Sequence, residues 1–161
     1  MYRIRQATAA DAGVLARHRA EMFRDMGELP DGLHDTLVEA ARAYFTQALA
    51  DGRYIGWVAE LDDPSKEIVA GAGLQLRELL PRPSGARGRL VRGPQGLVMN
   101  VYTERAWRRR GVAAALMRDL LQWCRGNGIE SVVLHASPEG RTLYERLGFT
   151  PTNEMRYDGD L

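Results

Sequence analysis

The chain has 161 residues, of which 45% are hydrophobic and 27% charged, and its formal net charge is +1. This length predicts a single domain over residues 1–161, and the near-neutral charge argues against a general nucleic-acid-binding protein. No apolar run approaches the roughly 18 residues of a membrane span, so we expect no membrane partner. The single cysteine, Cys124, excludes an intrachain disulfide, and the sequence shows no signal-peptide core. We therefore expect a cytoplasmic location.

The alternation and the helical spacing of apolar residues predict the elements of the first half. They are a strand at Tyr2–Ala7, a helix at Ala9–Met26, a turn at Gly27–Gly32, a helix at His34–Ala50, and strands at Tyr54–Leu61 and Ile68–Leu76. The segment Leu80–Gly96 follows, with three prolines and four glycines. It is long for a loop in a compact domain, which predicts either a functional lid or a segment that is simply mobile.

The second half predicts two further strands, two helices and a closing strand. They are a fourth strand at Leu97–Val101, a third helix that ends at Gly126–Gly128, a buried fifth strand at Ser131–Ala136, a helix at Glu139–Leu147 and a last strand at Phe149–Tyr157. Strands mixed with helices in this order predict an α/β (α+β) fold, with a mixed sheet and helices on both of its faces.

Between the fourth strand and the third helix lies the segment Arg108–Ala113, with the sequence RRRGVA. The first turn of a helix has backbone N–H groups without a partner inside the helix, and the helix dipole favours negative charge there. Gly111 leaves room for a ligand, and three arginines add positive charge. A solvated basic helix start is the alternative, but arginine opposes the dipole at this end. A bound phosphate group therefore explains the segment better.

A second motif, Leu143–Phe149 (LYERLGF), places Tyr144 33 residues after Gly111. The patterns R-x-x-G-x-A and L-Y-x-x-x-G-F, in this order and separated by one helix and one strand, resemble the GNAT N-acetyltransferase superfamily. The resemblance covers essentially the whole chain. It implies the GNAT acyl-CoA N-acyltransferase fold, with a mostly antiparallel sheet whose fourth strand bulges and splays from the fifth. It also implies acetyl-CoA as cofactor.

By this resemblance, the pantetheine arm of the cofactor lies in the gap between the splayed strands and pairs with strand backbone. Where the family often has Asn and Ala, this chain has Ser137 and Gly140, so we expect weaker hydrogen bonding to the pantetheine. The positions that match the family's cofactor site are Met99, Val101, Thr103, Arg108, Arg109, Arg110, Gly111, Val112, Ala113, Ala114, Ser137 and Tyr144.

The resemblance also assigns two catalytic positions. Tyr144 would protonate the leaving thiolate, a role that suits a phenol because it is neutral at pH 7; the alternative is a core aromatic residue packed on Phe149. The backbone N–H of Val101 would polarise the thioester carbonyl. The glutamate base that some members carry on the fifth strand has no counterpart. We therefore expect a water chain or a backbone carbonyl to accept the proton of the amine.

The contacts to the acceptor are predicted less directly. The candidates are Phe23, Met26, Asn100 and His135. His135 is better interpreted as a hydrogen-bonded core residue, with a role as base or acceptor contact as the alternative. The acids from Glu21 to Asp35 form either a mildly anionic patch, which would favour a cationic amine, or a solvated surface. His18 and His34 are too isolated to predict a metal site.

The predicted function is transfer of an acetyl group from acetyl-CoA to a primary amine on a small molecule or a peptide. The amine attacks directly in a ternary complex. The alternative is a non-catalytic acyl-CoA-binding module of the same fold, against which the presence of Tyr144 argues. The C-terminal segment Asn153–Leu161 is a candidate contributor to a homodimer.

Overall fold

The computed structural model describes residues 1–160, in which seven strands and four α-helices follow one another. The strands are β1 (Tyr2–Gln6), β2 (Tyr54–Leu61), β3 (Ile68–Glu78), β4 (Arg82–Ser84), β5 (Arg89–Val91), β6 (Pro94–Thr103) and β7 (Ser131–Leu134). The helices are α1 (Ala12–Asp25), α2 (His34–Asp51), α3 (Val112–Gly126) and α4 (Arg141–Arg146). Short 3-10 turns at Ala9–Asp11 and Arg105–Trp107 precede α1 and α3.

Five of the strands form one sheet in the order β1-β2-β3-β6-β7. All neighbours are antiparallel except β6 and β7, which are parallel. Successive side chains of a strand point to opposite faces, and β2 shows the consequence. Trp57 packs in a cluster with Leu116 and Leu120 of α3, whereas Val58 packs with Phe45 of α2 on the other face. The prediction of a mixed sheet with helices on both faces is confirmed.

Two of the secondary-structure predictions are wrong. Leu80–Gly96, predicted as a loop, contains the hairpin of β4 and β5 and the first residues of β6. Phe149–Tyr157, predicted as a last strand, forms no strand, and the segment from residue 150 to 160 is exposed throughout. Pro151 has no N–H to donate to a ladder. The polar residues around it also provide no apolar face that a sheet would bury.

Strand β6 bulges close to its middle. Met99 lies opposite Gly73 and Tyr102 lies opposite Gly71, so that Asn100 and Val101 share a single partner position on β3. Asn100 adopts the left-handed backbone conformation, with φ of +58°. A bulge of this kind bends the strand and redirects its side chains.

The pairing of β6 with β7 stops just before this bulge. Its last pair joins Val98 to Leu134. Within the described chain, residues 99–103 of β6 therefore have no strand partner on the β7 side. The predicted bulge and splay of these two strands are both confirmed.

Candidate active site

The backbone that leads into α3 has two residues in the left-handed region. Arg109 has φ of +61° and Gly111 has φ of +78°, a conformation that glycine adopts without steric cost. The first helical hydrogen bond runs from the Ala115 N–H to the Gly111 carbonyl at 3.0 Å. The N–H groups of Val112–Ala114 consequently have no acceptor inside the helix. With no acidic residue in its first turn, this end of α3 suits an anion.

Arg108, the first arginine of the predicted anion site, connects the segment before α3 to two other elements. Its Nε–H donates to the Thr103 carbonyl at 2.9 Å, and its guanidinium donates to the Asp25 carboxylate at the end of α1. Hydrogen bonds from Arg105 and from Arg108 lower the pKa of Asp25. The side chain of Arg108 therefore holds α1 against the end of β6.

Arg109 and Arg110 are the two arginines of this segment whose charges are not paired with a carboxylate among residues 1–160. Both are exposed, and the Arg110 guanidinium lies 5.3 Å from the centroid of the Trp107 ring. Neither forms an ion pair with any residue between 1 and 160, in contrast to Arg108. They contribute positive charge beside the free N–H groups of α3.

Tyr144 lies on α4 and is partly buried. Its ring packs edge-on against Phe149, with the centroids 6.0 Å apart. Burial raises the pKa of the phenol, so the side chain is neutral at physiological pH. A Cβ added at Gly140 would lie 2.8 Å from Tyr144 Cε2, so the ring covers this glycine closely. The ring contact with Phe149 is present, and it does not exclude the predicted proton donation.

Ser137 has a structural partner of its own. Its hydroxyl accepts a hydrogen bond from the Gly140 N–H at 3.2 Å, just before α4 begins. A serine that bonds to the backbone three residues on stabilises the start of a helix. A contact from Ser137 to the cofactor therefore stays a prediction.

The four predicted acceptor residues belong to or directly follow three elements, α1, β6 and β7. The Asn100 amide, on the α1 side of β6, donates to the Leu15 carbonyl at 3.1 Å. His135 is exposed after β7 and pairs with Glu154. Phe23 lies under the guanidinium of Arg19 at 5.0 Å, and Met26 directly follows α1 with 38% of its surface exposed. Phe23 and Met26 thus lie at or just after the end of α1, Asn100 on β6 and His135 after β7, and a shared contact with an acceptor stays a prediction.

Three of the five acids in the predicted anionic patch near α1 have basic partners, whereas Glu28 and Asp31 form no ion pair among residues 1–160. Glu21 pairs with Arg24 at 3.0 Å and with His34 at 3.2 Å. Asp25 is paired with Arg105 and Arg108. Hydrogen bonds from Asp35, first, and from Glu21 raise the pKa of His34. This surface therefore keeps negative charge at Glu28 and Asp31, and its attraction for a cationic acceptor stays a prediction.

A cavity of about 340 Å³ opens beside the bulge, between β6 and the helices α1 and α2. Met99 and Asn100 of the predicted site line it. Sequence reasoning did not identify its other polar residues, which are Arg19, Tyr44, Tyr54 and Gln75. They come from α1, α2, β2 and β3, and no spacing in the sequence links them. We call this space the α1–α2 cavity.

The sequence and the fold of the chain are similar to those of known proteins. The chain matches the sequence profile of the acetyltransferase (GNAT) family over residues 14–149, a range that contains both motifs and the bulge. The chain belongs to the GNAT acetyltransferase family. This acetyltransferase is therefore an acyltransferase enzyme whose co-substrate is acetyl-CoA.

One curated relative and two solved structures illustrate how similar this acetyltransferase is to known members. Aminoglycoside N(6')-acetyltransferase type 1 of Stenotrophomonas maltophilia is 26% identical over 157 residues, which are 96% of this chain and 90% of that protein. A GCN5-related N-acetyltransferase from Ralstonia eutropha JMP134 has a TM-score of 0.83 and 33% identity, covering 98% of this chain and 97% of that one. A predicted acetyltransferase from Clostridium acetobutylicum, solved with acetyl-CoA, has a TM-score of 0.79 and 26% identity, covering 99% and 96%. The GNAT fold of this acetyltransferase is confirmed.

The residues of this acetyltransferase fit its co-substrate at two points. The free N–H groups after Gly111 and the charges of Arg109 and Arg110 suit a pyrophosphate. The unpaired stretch of β6, residues 99–103, suits an extended arm with amide groups. Among the helices of residues 1–160, none is long and apolar enough to cross a membrane.

Proposed function

We propose that this enzyme transfers the acetyl group of acetyl-CoA to a primary amine, which attacks the thioester directly in a ternary complex. One observation carries the proposal. The unpaired stretch of β6, residues 99–103, begins at Met99, which also lines the α1–α2 cavity, and the chain continues from Thr103 through a short 3-10 turn to the start of α3. A cofactor along this stretch would bring its thioester to the mouth of a cavity that has room for the amine.

In the proposed cofactor site, the N–H groups of Val112–Ala114, with Arg109 and Arg110, bind the pyrophosphate. Val101 and Thr103 face the pantetheine with their backbone groups. Met99 packs beside the thioester. Arg108 acts by holding the loop, and Ser137 by starting α4, on which Tyr144 lies.

The reaction is proposed as a single transfer. The amine nitrogen, once deprotonated, forms a bond to the acetyl carbonyl carbon, and the bond from that carbon to the sulfur breaks. The N–H of Val101, which the bulge places outside the regular ladder, polarises the carbonyl oxygen. The neutral phenol of Tyr144 gives its proton to the departing thiolate. Within the described residues, no carboxylate lines the α1–α2 cavity, so the proton of the amine passes to water.

The relatives suggest classes of acceptor for a first screen. The Stenotrophomonas relative is named for aminoglycosides, so the screen includes aminoglycosides beside polyamines, amino acids, amino sugars and short peptides. Released CoA thiol is measured for each amine with acetyl-CoA present. Thiol release that depends on the amine, with the acetylated product identified by mass, supports the proposal. Tight acetyl-CoA binding without turnover on any amine would instead favour the non-catalytic module.

A cytoplasmic location, a single domain over residues 1–161 and a homodimer that uses the segment from Asn153 onward belong to the same proposal. The segment exposes Met155 and Tyr157, with 94% and 68% of their surfaces accessible, which supports a contact with a second copy. Cell fractionation tests the location. The mass in solution, compared with that of a chain truncated after Thr152, tests the dimer.

A further inference from the structure

The α1–α2 cavity has walls that are mostly apolar and a few polar groups that enter it. Its volume of about 340 Å³ is at the small end of the range for ligand sites. Leu37, Ala41 and Phe45 of α2 provide much of the apolar wall. Such a combination of apolar walls and a few polar groups is typical of sites that bind a small ligand in one orientation.

Arg19 is the only charged side chain that lines this cavity within the described residues, and it has no counter-ion there. Burial lowers the pKa of its guanidinium, and the titratable groups that oppose this effect are the hydroxyls of Tyr54 and Tyr44. Other arginines of α1 are paired: Arg17 lies 2.7 Å from Glu104, and Arg24 lies 3.0 Å from Glu21. Arg19 differs from both because its charge enters the cavity instead of meeting a carboxylate.

A partly buried guanidinium without a carboxylate is costly, since it gives up water without gaining a strong partner. The contact of Arg19 with the Phe23 ring, at 5.0 Å, compensates only in part. An anionic group of a ligand would compensate far better, because the planar fork of arginine binds a carboxylate or phosphate through two hydrogen bonds.

Two residues that line the same cavity also carry a buried, neutral polar atom without a partner. The Tyr54 hydroxyl is buried and has no hydrogen-bond partner among residues 1–160. It lies over Gly73, where an added Cβ would come within 2.1 Å of it. The Asn100 Oδ1 is buried and unpartnered as well, while its Nδ2 is used by the Leu15 carbonyl. Asn100 Oδ1 can only accept a hydrogen bond, so it suits the N–H of an amine beside the bulge.

We propose that the acceptor of this enzyme is a small primary amine that also carries an anionic group, a carboxylate or a phosphate, and that Arg19 binds this group in the α1–α2 cavity. The inference rests on the proposed function, because it assigns the acceptor of the same site. The Tyr54 hydroxyl donates to the same anion, and Asn100 Oδ1 accepts from the amine. The positive charge of Arg19 in this cavity would repel a polycationic acceptor.

The test compares amines in matched pairs that differ only in the charge. An amino acid is paired with its amide, and an amino-sugar phosphate is paired with the free amino sugar. For at least one pair, the wild-type enzyme is expected to show a kcat/KM at least 10-fold higher for the anionic member. The Arg19→Leu variant is expected to reduce this ratio to about 1. The pair that shows the preference identifies the anion as carboxylate or phosphate.

Arg42→Leu is the matched control, because Arg42 is exposed on α2 and does not line the cavity. It removes the same charge from the same region and should keep the preference for the anionic member. If Arg19→Leu does not fold, Arg19→Lys serves instead. Lysine keeps the positive charge but lacks the planar fork of the guanidinium. The kcat/KM ratio of the anionic to the neutral amine should therefore lie between the wild-type ratio and about 1.

Direct binding of the anionic members to the wild-type enzyme, measured by calorimetry, separates this inference from the proposed function. Selective binding that Arg19→Leu abolishes, without acetylation of any amine, supports the anion site and contradicts the proposed function. Acetylation of both members of every pair with equal kcat/KM supports the proposed function and overturns the anion site. Absence of selective binding in the wild type also overturns it.

Discussion

The start of α3 follows β6 along the chain, and the α1–α2 cavity is lined in part by β6, but the two regions present different chemical groups. The start of α3 presents backbone N–H groups from consecutive residues, Val112–Ala114, and exposed arginines next to them. The cavity presents side chains from α1, α2, β2, β3 and β6, among them the unpaired Arg19. In our proposals, the shared co-substrate is bound by backbone groups, whereas the group that selects the acceptor is a side chain.

This difference has a physical basis. Backbone donors exist at every helix start, so a few residues that permit the turn are enough to create the site, and they stay adjacent in sequence. A cavity between helices and a sheet depends on which side chains the packing brings together. Substitutions at the start of α3 and substitutions in the α1–α2 cavity should consequently have different effects.

The largest effect is expected for Gly111→Glu. The residue would need a φ of +78°, which a side chain disfavours, and its carboxylate would stand where we propose that the pyrophosphate binds. Acetyl-CoA affinity, measured by calorimetry, should fall by at least about 100-fold. Gly128→Glu is the control, since Gly128 has a φ of +70° at the other end of α3. Equal losses in both variants would show that the effect is strain and not the loss of an anion site.

The next effect is expected for Tyr144→Phe, which removes the phenol but keeps the packing against Phe149. Loss of a proton donor of this kind typically costs about 100-fold or more in turnover. The acetyl-CoA affinity should stay at the wild-type value, because the ring is retained. Tyr157→Phe, at an exposed position, is the control. A wild-type kcat in Tyr144→Phe would remove Tyr144 from the chemistry and leave it as a core aromatic residue.

His18, on α1, should make the free energy of unfolding depend on pH. Burial, first, and the charge of Arg17 lower the pKa of His18 to about 4, although Glu104 acts in the opposite direction. The unfolded chain therefore binds more protons than the folded one between pH 6.5 and 4, so stability is complete above pH 6.5 and falls below it. The free energy of unfolding should decrease by about 2 kcal/mol at most between pH 7.5 and 5.

Urea unfolding at a series of pH values checks this, with His18→Gln and the exposed His135→Gln as a pair. His18→Gln should lose the slope between pH 7.5 and 5, and His135→Gln should keep it. The same slope in His18→Gln would assign the pH dependence to other groups.

The smallest effect is expected for Gly140→Ala, which restores the residue that the family often has. The new methyl would lie 2.8 Å from Tyr144 Cε2, so the ring has to move. We expect a decrease in kcat of about 3- to 10-fold, with the acetyl-CoA affinity nearly unchanged. Gly126→Ala has open space around it in α3 and should leave kcat unchanged. An unchanged kcat in Gly140→Ala would mean that Tyr144 tolerates the shift.

The two motifs allowed the backbone geometry of the proposed cofactor site to be predicted from sequence, because their residues are local. Gly111 and the arginines precede a helix, and Tyr144 lies within a single short helix, so their relation to the backbone follows from the sequence. The side chain of Arg108 was harder to place, because Asp25 belongs to a distant helix. The prediction of a last strand at Phe149–Tyr157 was wrong since a strand needs a partner edge and a buried face, which a local pattern does not supply.

The sequence by itself determined the family and the co-substrate, and it predicted an anion-binding start of α3, because each depends on residues that are neighbours along the chain. The tertiary structure decided which polar groups face the α1–α2 cavity. Arg19, Tyr54 and Asn100 lie on three different elements, and a bulge in β6 sets the direction of Asn100. Side chains so far apart in sequence meet only through packing, which no local pattern encodes.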